Sequence, residues 1–267
     1  MTQYVHGYSE KESSRLFDQA NTLTELLHHD THYPPGSVVL EAGCGIGAQT
    51  VILALKSLQS QFTAIDKSQV SIDEAQSTIH ARSIKNVVFK RADIFDLPFG
   101  EEYFDHIFVC FLLEHLQRPR EALGCLKKVL KRGGTMTVIE GDHGSFYCHP
   151  ESREAMLTVQ CLIDIQASHN GNARIGRQVY PLLCKAGYQT VRVSPRMVYV
   201  DSSKPDLVEG FSKNTFIAMV EGVEKQALNQ GLIDEQTWAK GIKDLYRATE
   251  EDGTFCYTFF KGTAVKP

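Results

Sequence analysis

The chain has 267 residues, 42% of them hydrophobic, and a formal net charge of −4, enough for one elaborated domain or two small ones with a buried core and no basic footprint for nucleic acid. Seven scattered cysteines without Cys-x-x-Cys spacing exclude the usual zinc site and read as reduced thiols. The N-terminus lacks an apolar export signal and no uncharged apolar run reaches the roughly 18 residues of a membrane span, so the expectation is a soluble, cytoplasmic protein.

The first segment, "YVHGYSEKESSRLFDQANTL", sets Tyr4, Tyr8, Arg15, Leu16 and Leu23 partly at helical spacing, with Ser9 as N-cap and Glu12 as its capping-box partner. Short β-rich runs follow at 37–43, 62–67, 86–93, 104–110 and 134–142, alternating with helical stretches at 47–58, 68–83 and 119–131. The basic cluster "KKVLKR" at 127–132 falls at a helix end, where cations suit the dipole. Such alternation implies parallel strands joined by right-handed crossovers, with ligands beyond the carboxyl ends of the strands. After residue 150 the order changes: helix over 151–186 with a break at "GNARIG", a strand at 188–194, mostly helix over 196–252, and a last strand at 254–265. The piece 196–252 is too long for an ordinary connection and reads as a cap.

The stretch "VLEAGCGIGAQT", residues 39–50, sits between the first strand and the first crossover helix. Glycines there let backbone approach a ligand, and the helix N-terminus offers free N–H groups. Gly43-x-Gly45-x-x-Ala48 satisfies the loose dinucleotide fingerprint, so the loop alone fits NAD or S-adenosylmethionine (SAM). Three acids at successive strand ends favour the second. Glu41 would face an anionic pyrophosphate unfavourably but suits a sulfonium and an ammonium. Asp66 can accept both ribose hydroxyl hydrogens, and Asp93 can accept from an adenine amino group while Ile94 covers the ring. An NAD(P)-dependent oxidoreductase leaves Glu41 and Asp93 unexplained and lacks an obvious Tyr-x-x-x-Lys pair. A non-catalytic SAM-binding regulatory protein stays open.

Together, "VLEAGCGIGAQT", "AIDKS", "RADIFDLPF", "LPFGEEYFDHIFVCFLLEHL" and "VLKRGGTMTVIE" resemble the class I SAM-dependent methyltransferases over roughly residues 36–142. The likeness is closest to the ubiquinone/menaquinone-biosynthesis type, although Arg132 stands where proline is common. It implies a Rossmann-like, mostly parallel seven-stranded sheet with helices on both faces and an antiparallel last strand, entered through a hairpin-like connection at the sheet edge. The implied organisation is a helical lid at 1–35, a core at 36–195 and 253–267, and the helical cap at 196–252.

The resemblance also implies roles. Gly43, Cys44, Gly45 and Gly47 would pass the methionyl part of SAM, with Glu41 and Gln49 beside them. Asp66 would hold the ribose, Lys67 would flank the adenine, and Asp93 with Ile94 would fix the base. Cys110 and Phe111 would line the floor near the methyl group, and the lid would bring Tyr8 and Arg15 to the methionine carboxylate. Methyl transfer is an in-line displacement that needs positioning, water exclusion and a base only for a protonated nucleophile. Candidate bases are His115 and His143, then His149 and His6; no metal is implied. The expected partner is a small-molecule acceptor rather than nucleic acid, enclosed by cap residues such as Phe211, Phe216, Met219, Trp238 and Tyr246, and a homodimer is possible.

Overall fold

The computed structural model describes residues 10–267. Its seven strands form one sheet in the order β3-β2-β1-β4-β5-β7-β6. β1 (Val38–Ala42), β2 (Gln61–Asp66), β3 (Val87–Arg91), β4 (Phe104–Cys110) and β5 (Leu130–His149) pair in parallel. Along the central strands, buried residues alternate between two apolar layers, as the two-residue repeat of a strand covered on both faces requires. Val39, Phe62 and Phe108 join one layer, whereas Leu40, Ala42, Ile107 and Val109 join the other. Helix α5 (Pro119–Val129) and helix α7 (Val179–Lys185) close the second layer.

The antiparallel last strand is present, but it is not at the edge. β7 (Thr254–Val265) lies between β5 and β6 (Gln189–Val200), antiparallel to both. It is reached through a long helical excursion rather than a hairpin. It pairs with the long β5 from Thr135↔Val265 to His149↔Thr254, with a register shift between Asp142 and Tyr147, and with β6 on its other side. His143 and His149, expected after the fifth strand, are part of β5. Likewise β6 continues to Val200, so residues 196–200 are strand rather than cap.

Helices α1 (Glu10–Thr22) and α2 (Thr24–His28) precede the sheet, and α3 (Ala48–Lys56) and α4 (Gln69–Ala81) follow β1 and β2. Between β6 and β7 come α8 (Pro205–Leu207), a π-helix (Val208–Ile217), α9 (Ala218–Glu221), α10 (Glu224–Asn229) and α11 (Glu235–Arg247). The π-helix lays Phe211 and Phe216 on the extended upper parts of β5 and β7. Phe216 stacks on Phe146 at 5.0 Å, and Phe211 meets Tyr257 and Phe259 edge-on at 5.7 and 5.8 Å, geometries that aromatic quadrupoles favour. At Gly210 a Cβ would come within 2.3 Å of Thr22 Oγ1, so glycine is what lets the π-helix touch α1. Helix α11 instead packs on α6 (Arg153–Ser168), with Gly241 against the Glu154 carbonyl. One apolar cluster runs from Leu23 and Leu27 through Phe108 and Leu162 to Phe211 and Trp238. The three sequence segments thus share a core.

Candidate active site

A cavity of about 310 Å³ opens at the carboxyl ends of β1, β2 and β4 and runs inward beneath the π-helix. Its outer wall is the loop between β1 and α3. Gly43 has φ +79°, and a Cβ there would strike the Leu112 side chain at 2.8 Å, so the loop closes onto the turn after β4 only with glycine. Gly45, with φ +50°, has no atom within 4 Å of an added Cβ, leaving an open cradle on the cavity side. Asp66 fastens this loop: Oδ2 accepts from Gly45 N–H at 2.9 Å and Oδ1 from Ser68 N–H at 2.8 Å. Each carboxylate oxygen keeps a further lone pair for a ligand hydroxyl.

Of the residues expected at the cofactor site, Arg15, Gly43, Cys44, Gly45, Gln49, Asp66, Lys67, Cys110 and Phe111 line this cavity. Four expected positions do not. Gly47 turns toward α4, where a Cβ would approach that of Ala75 to 3.0 Å. Glu41 is buried in β1 beneath the loop. Burial pushes its carboxyl up to about 8, and its Oε2 has no hydrogen-bond partner. Asp93 is held outside the wall, its Oδ2 3.0 Å from Lys67 Nζ and its Oδ1 accepting from Phe95 N–H at 3.0 Å. Ile94 packs with the second apolar layer. Tyr8, His6 and the Ser9 cap lie outside the described residues.

Arg15 and Gln19 reach the cavity from α1, with Arg15 Nη1 donating to Gln19 Oε1 at 3.1 Å. Burial drives the thiols of Cys44 and Cys110 well above their ordinary pKa, so both act as neutral wall rather than nucleophile. Phe111 adopts φ +53°, which swings the chain out of β4, and its ring meets Phe259 at 5.4 Å.

The inner end is polar, and most of it was not expected. Glu140, at the level where β5 passes the turn after β4, accepts from Leu112 and Leu113 N–H through Oε1 at 3.1 and 2.7 Å. Its Oε2 has no partner, and burial together with the Glu114 charge pushes its pKa well above the ordinary value. Glu114 behaves oppositely: burial raises it, but His115, a hydrogen bond from Gln166 and Arg15 hold it below its usual value. Gln166 Nε2 donates to Glu114 Oε2 at 2.9 Å. The expected bases His115 and His143 both line the cavity, whereas His149 is exposed at the end of β5. His143 Nδ1 stands 2.7 Å from the Tyr257 hydroxyl, and burial lowers its pKa, leaving a neutral imidazole. From the cap only Phe211 and Met219 reach this wall; Trp238 is buried in the apolar core, and Tyr246 donates to Glu221 at 3.2 Å. Among the described residues no cluster has the makings of a metal site.

An open glycine cradle and a strand-end carboxylate with lone pairs left for a ribose fit an adenosyl ligand. Residues 40–138 match the family model described as a methyltransferase domain. Those residues form a methyltransferase domain of the class I, SAM-dependent kind. A methyltransferase of Schizosaccharomyces pombe is 26% identical over 236 residues, which are 85% of this chain and 83% of that one. The (S)-coclaurine N-methyltransferase of Papaver somniferum is 29% identical over 149 residues, and there the match spans 56% of this chain and only 42% of the relative. Among solved structures, phosphoethanolamine N-methyltransferase 2 of Haemonchus contortus, in complex with SAM, shares the fold at a TM-score of 0.57 and 15% identity, over 94% of this chain and 52% of that one. The methyltransferase uses SAM as its cofactor, which sets aside the oxidoreductase alternative. These likenesses do not single out the quinone type.

Proposed function

We propose that this methyltransferase transfers the SAM methyl group to a small, partly apolar acceptor held at the inner end of the cavity. The observation that carries this reading is the continuity of that space, from the glycine loop to a polar cluster roofed by Phe211, Met219 and Phe259. When bound, SAM supplies an electrophilic methyl carbon. Asp66 would accept from the ribose, Lys67 would border the base, and Arg15 and Gln49 would hold the methionyl end. The aromatic roof excludes water and selects by shape, which disfavours a nucleic-acid acceptor. His143, kept neutral by burial, can take a proton from the acceptor, with His115 beside Glu114 as the second candidate.

Seven free cysteines support a cytoplasmic location, and no described helix is long and apolar enough to cross a membrane. The exposed neighbours Tyr147, Met197 and Tyr199 on the β5–β7–β6 surface support a homodimer. The test is incubation with methyl-labelled SAM and a metabolite extract. Label is expected in one or a few small molecules; label confined to RNA or protein overturns the reading.

A further inference from the structure

His28, the last residue of α2, is almost wholly buried, yet its ring is not used only as filling. One face packs on Phe108 at a centroid distance of 5.7 Å, while Nε2 lies 2.7 Å from Oε1 of Gln49, a residue of the cavity wall. Nδ1 is buried with no hydrogen-bond partner. These two facts choose the tautomer. With the proton on Nε2, the ring donates to Gln49 and leaves a bare nitrogen in the core. With the proton on Nδ1, a donor would be buried unpaired, and Gln49 would have to turn its amide over.

The segment bearing His28 is clamped from the far strands. Lys261, a buried lysine on β7, donates through Nζ to the Leu27 carbonyl at 3.0 Å and to Asp30 Oδ1 at 2.6 Å. Arg196 of β6 also pairs with Asp30. Such a clamp fixes where the imidazole stands, so the hydrogen bond to Gln49 has one geometry rather than several.

We propose that His28 is a positioning residue of the cofactor site, whose Nε2–H takes up Oε1 of Gln49 and so presents the Gln49 N–H2 to the methionyl end of the cofactor. This inference rests on the SAM reading of the cavity, and goes beyond it by assigning a role to a residue that does not itself line the site. Burial, with the charges of Lys261 and Lys56 adding to it and the Gln49 hydrogen bond opposing, lowers the His28 pKa to about 4, so the ring stays neutral at physiological pH.

The experiment measures S-adenosylhomocysteine affinity by calorimetry for the full chain and for His28→Phe, His28→Gln, Gln49→Ala and the double variant His28→Phe/Gln49→Ala. Loss of one buried donor should weaken binding about tenfold in His28→Phe. His28→Gln, whose Nε2 can stand near that of the imidazole, should recover most of it. In the Gln49→Ala background His28→Phe should change affinity by less than about twofold, because the two act through one contact. Wild-type affinity in His28→Phe, or independent multiplying effects in the cycle, overturns the proposal. Absence of binding by the wild-type chain overturns the cofactor reading first, and this inference with it. Nitrogen-15 spectra of the wild-type protein give a check that needs no variant: the Nε2–H tautomer is expected at His28, and the Nδ1–H tautomer refutes the role.

Discussion

The hydroxyl of Tyr257 stands 2.7 Å from Nδ1 of His143, and this contact joins the last strand to β5 at the inner wall of the cavity. It orients the imidazole. If His143 takes the acceptor's proton, His143→Ala should lower the transfer rate by ~10²-fold or more while leaving S-adenosylhomocysteine affinity within about twofold. Burial holds the His143 pKa below its ordinary value, so the neutral, competent form persists to lower pH than for an exposed histidine. The rate should therefore rise through an acid limb centred below pH 6.5 and stay level above it, which a pH profile with the identified acceptor will show.

Asp66 carries two tasks, holding the loop through Gly45 N–H and accepting from the ribose. Asp66→Ala should weaken both SAM and S-adenosylhomocysteine by about 1.5–3 kcal/mol. Calorimetry on the folded variant checks this. Undiminished affinity would mean that the ribose does not rest there.

These sites differ in how readable they are from sequence. The glycine loop and Asp66 are legible because their spacing is local: a strand end, a turn and the next strand end. Which way a strand-end side chain points is not local: Asp93 turns to Lys67 and Phe95 rather than to the wall, and Gly47, one turn past the lining glycines, faces Ala75 of α4. The inner cluster gathers Glu114, Gln166 and Tyr257 from three elements far apart in the chain, with Glu140 buried behind them and holding the turn after β4. Two of them had a trace in sequence, an acid inside "FLLEHL" and another ending "TVIE". Tyr257 shows only as part of the period-two run Phe255, Tyr257, Phe259, which reads as core. The place of β7 inside the sheet depends on its pairing with both β5 and β6, and no local pattern encodes that.

Glu41 offers a prediction in protons. In the free enzyme its carboxyl titrates at about 8, because burial penalises the charge, so at pH 7 it is mostly protonated. A cation bound beside the loop favours ionisation and lowers that value. Binding of SAM at pH 7 should therefore release up to about one proton, and affinity should rise with pH until about pH 8. Calorimetry in two buffers of different ionisation enthalpy counts the proton. Glu41→Gln should abolish the release; equal release from both proteins would place the titrating group elsewhere.

Phe211 and Trp238 separate the cap's two jobs. Phe211 lines the cavity and touches Tyr257 and Phe259, whereas Trp238 is buried in the apolar core away from the cavity. Phe211→Leu keeps an apolar side chain of smaller volume, so it should cost stability only modestly while reshaping the acceptor wall. The expected result is a KM for the identified acceptor raised severalfold, with S-adenosylhomocysteine affinity unchanged. Trp238→Phe should do the reverse, lowering the unfolding midpoint by a few degrees through a lost packing volume and leaving the acceptor KM alone. If Trp238→Phe alters acceptor KM as strongly as Phe211→Leu, the acceptor does not lie against Phe211. Selectivity would then come from the set of the whole cap, because only a shift of the packed helices could carry an effect from Trp238 to the cavity.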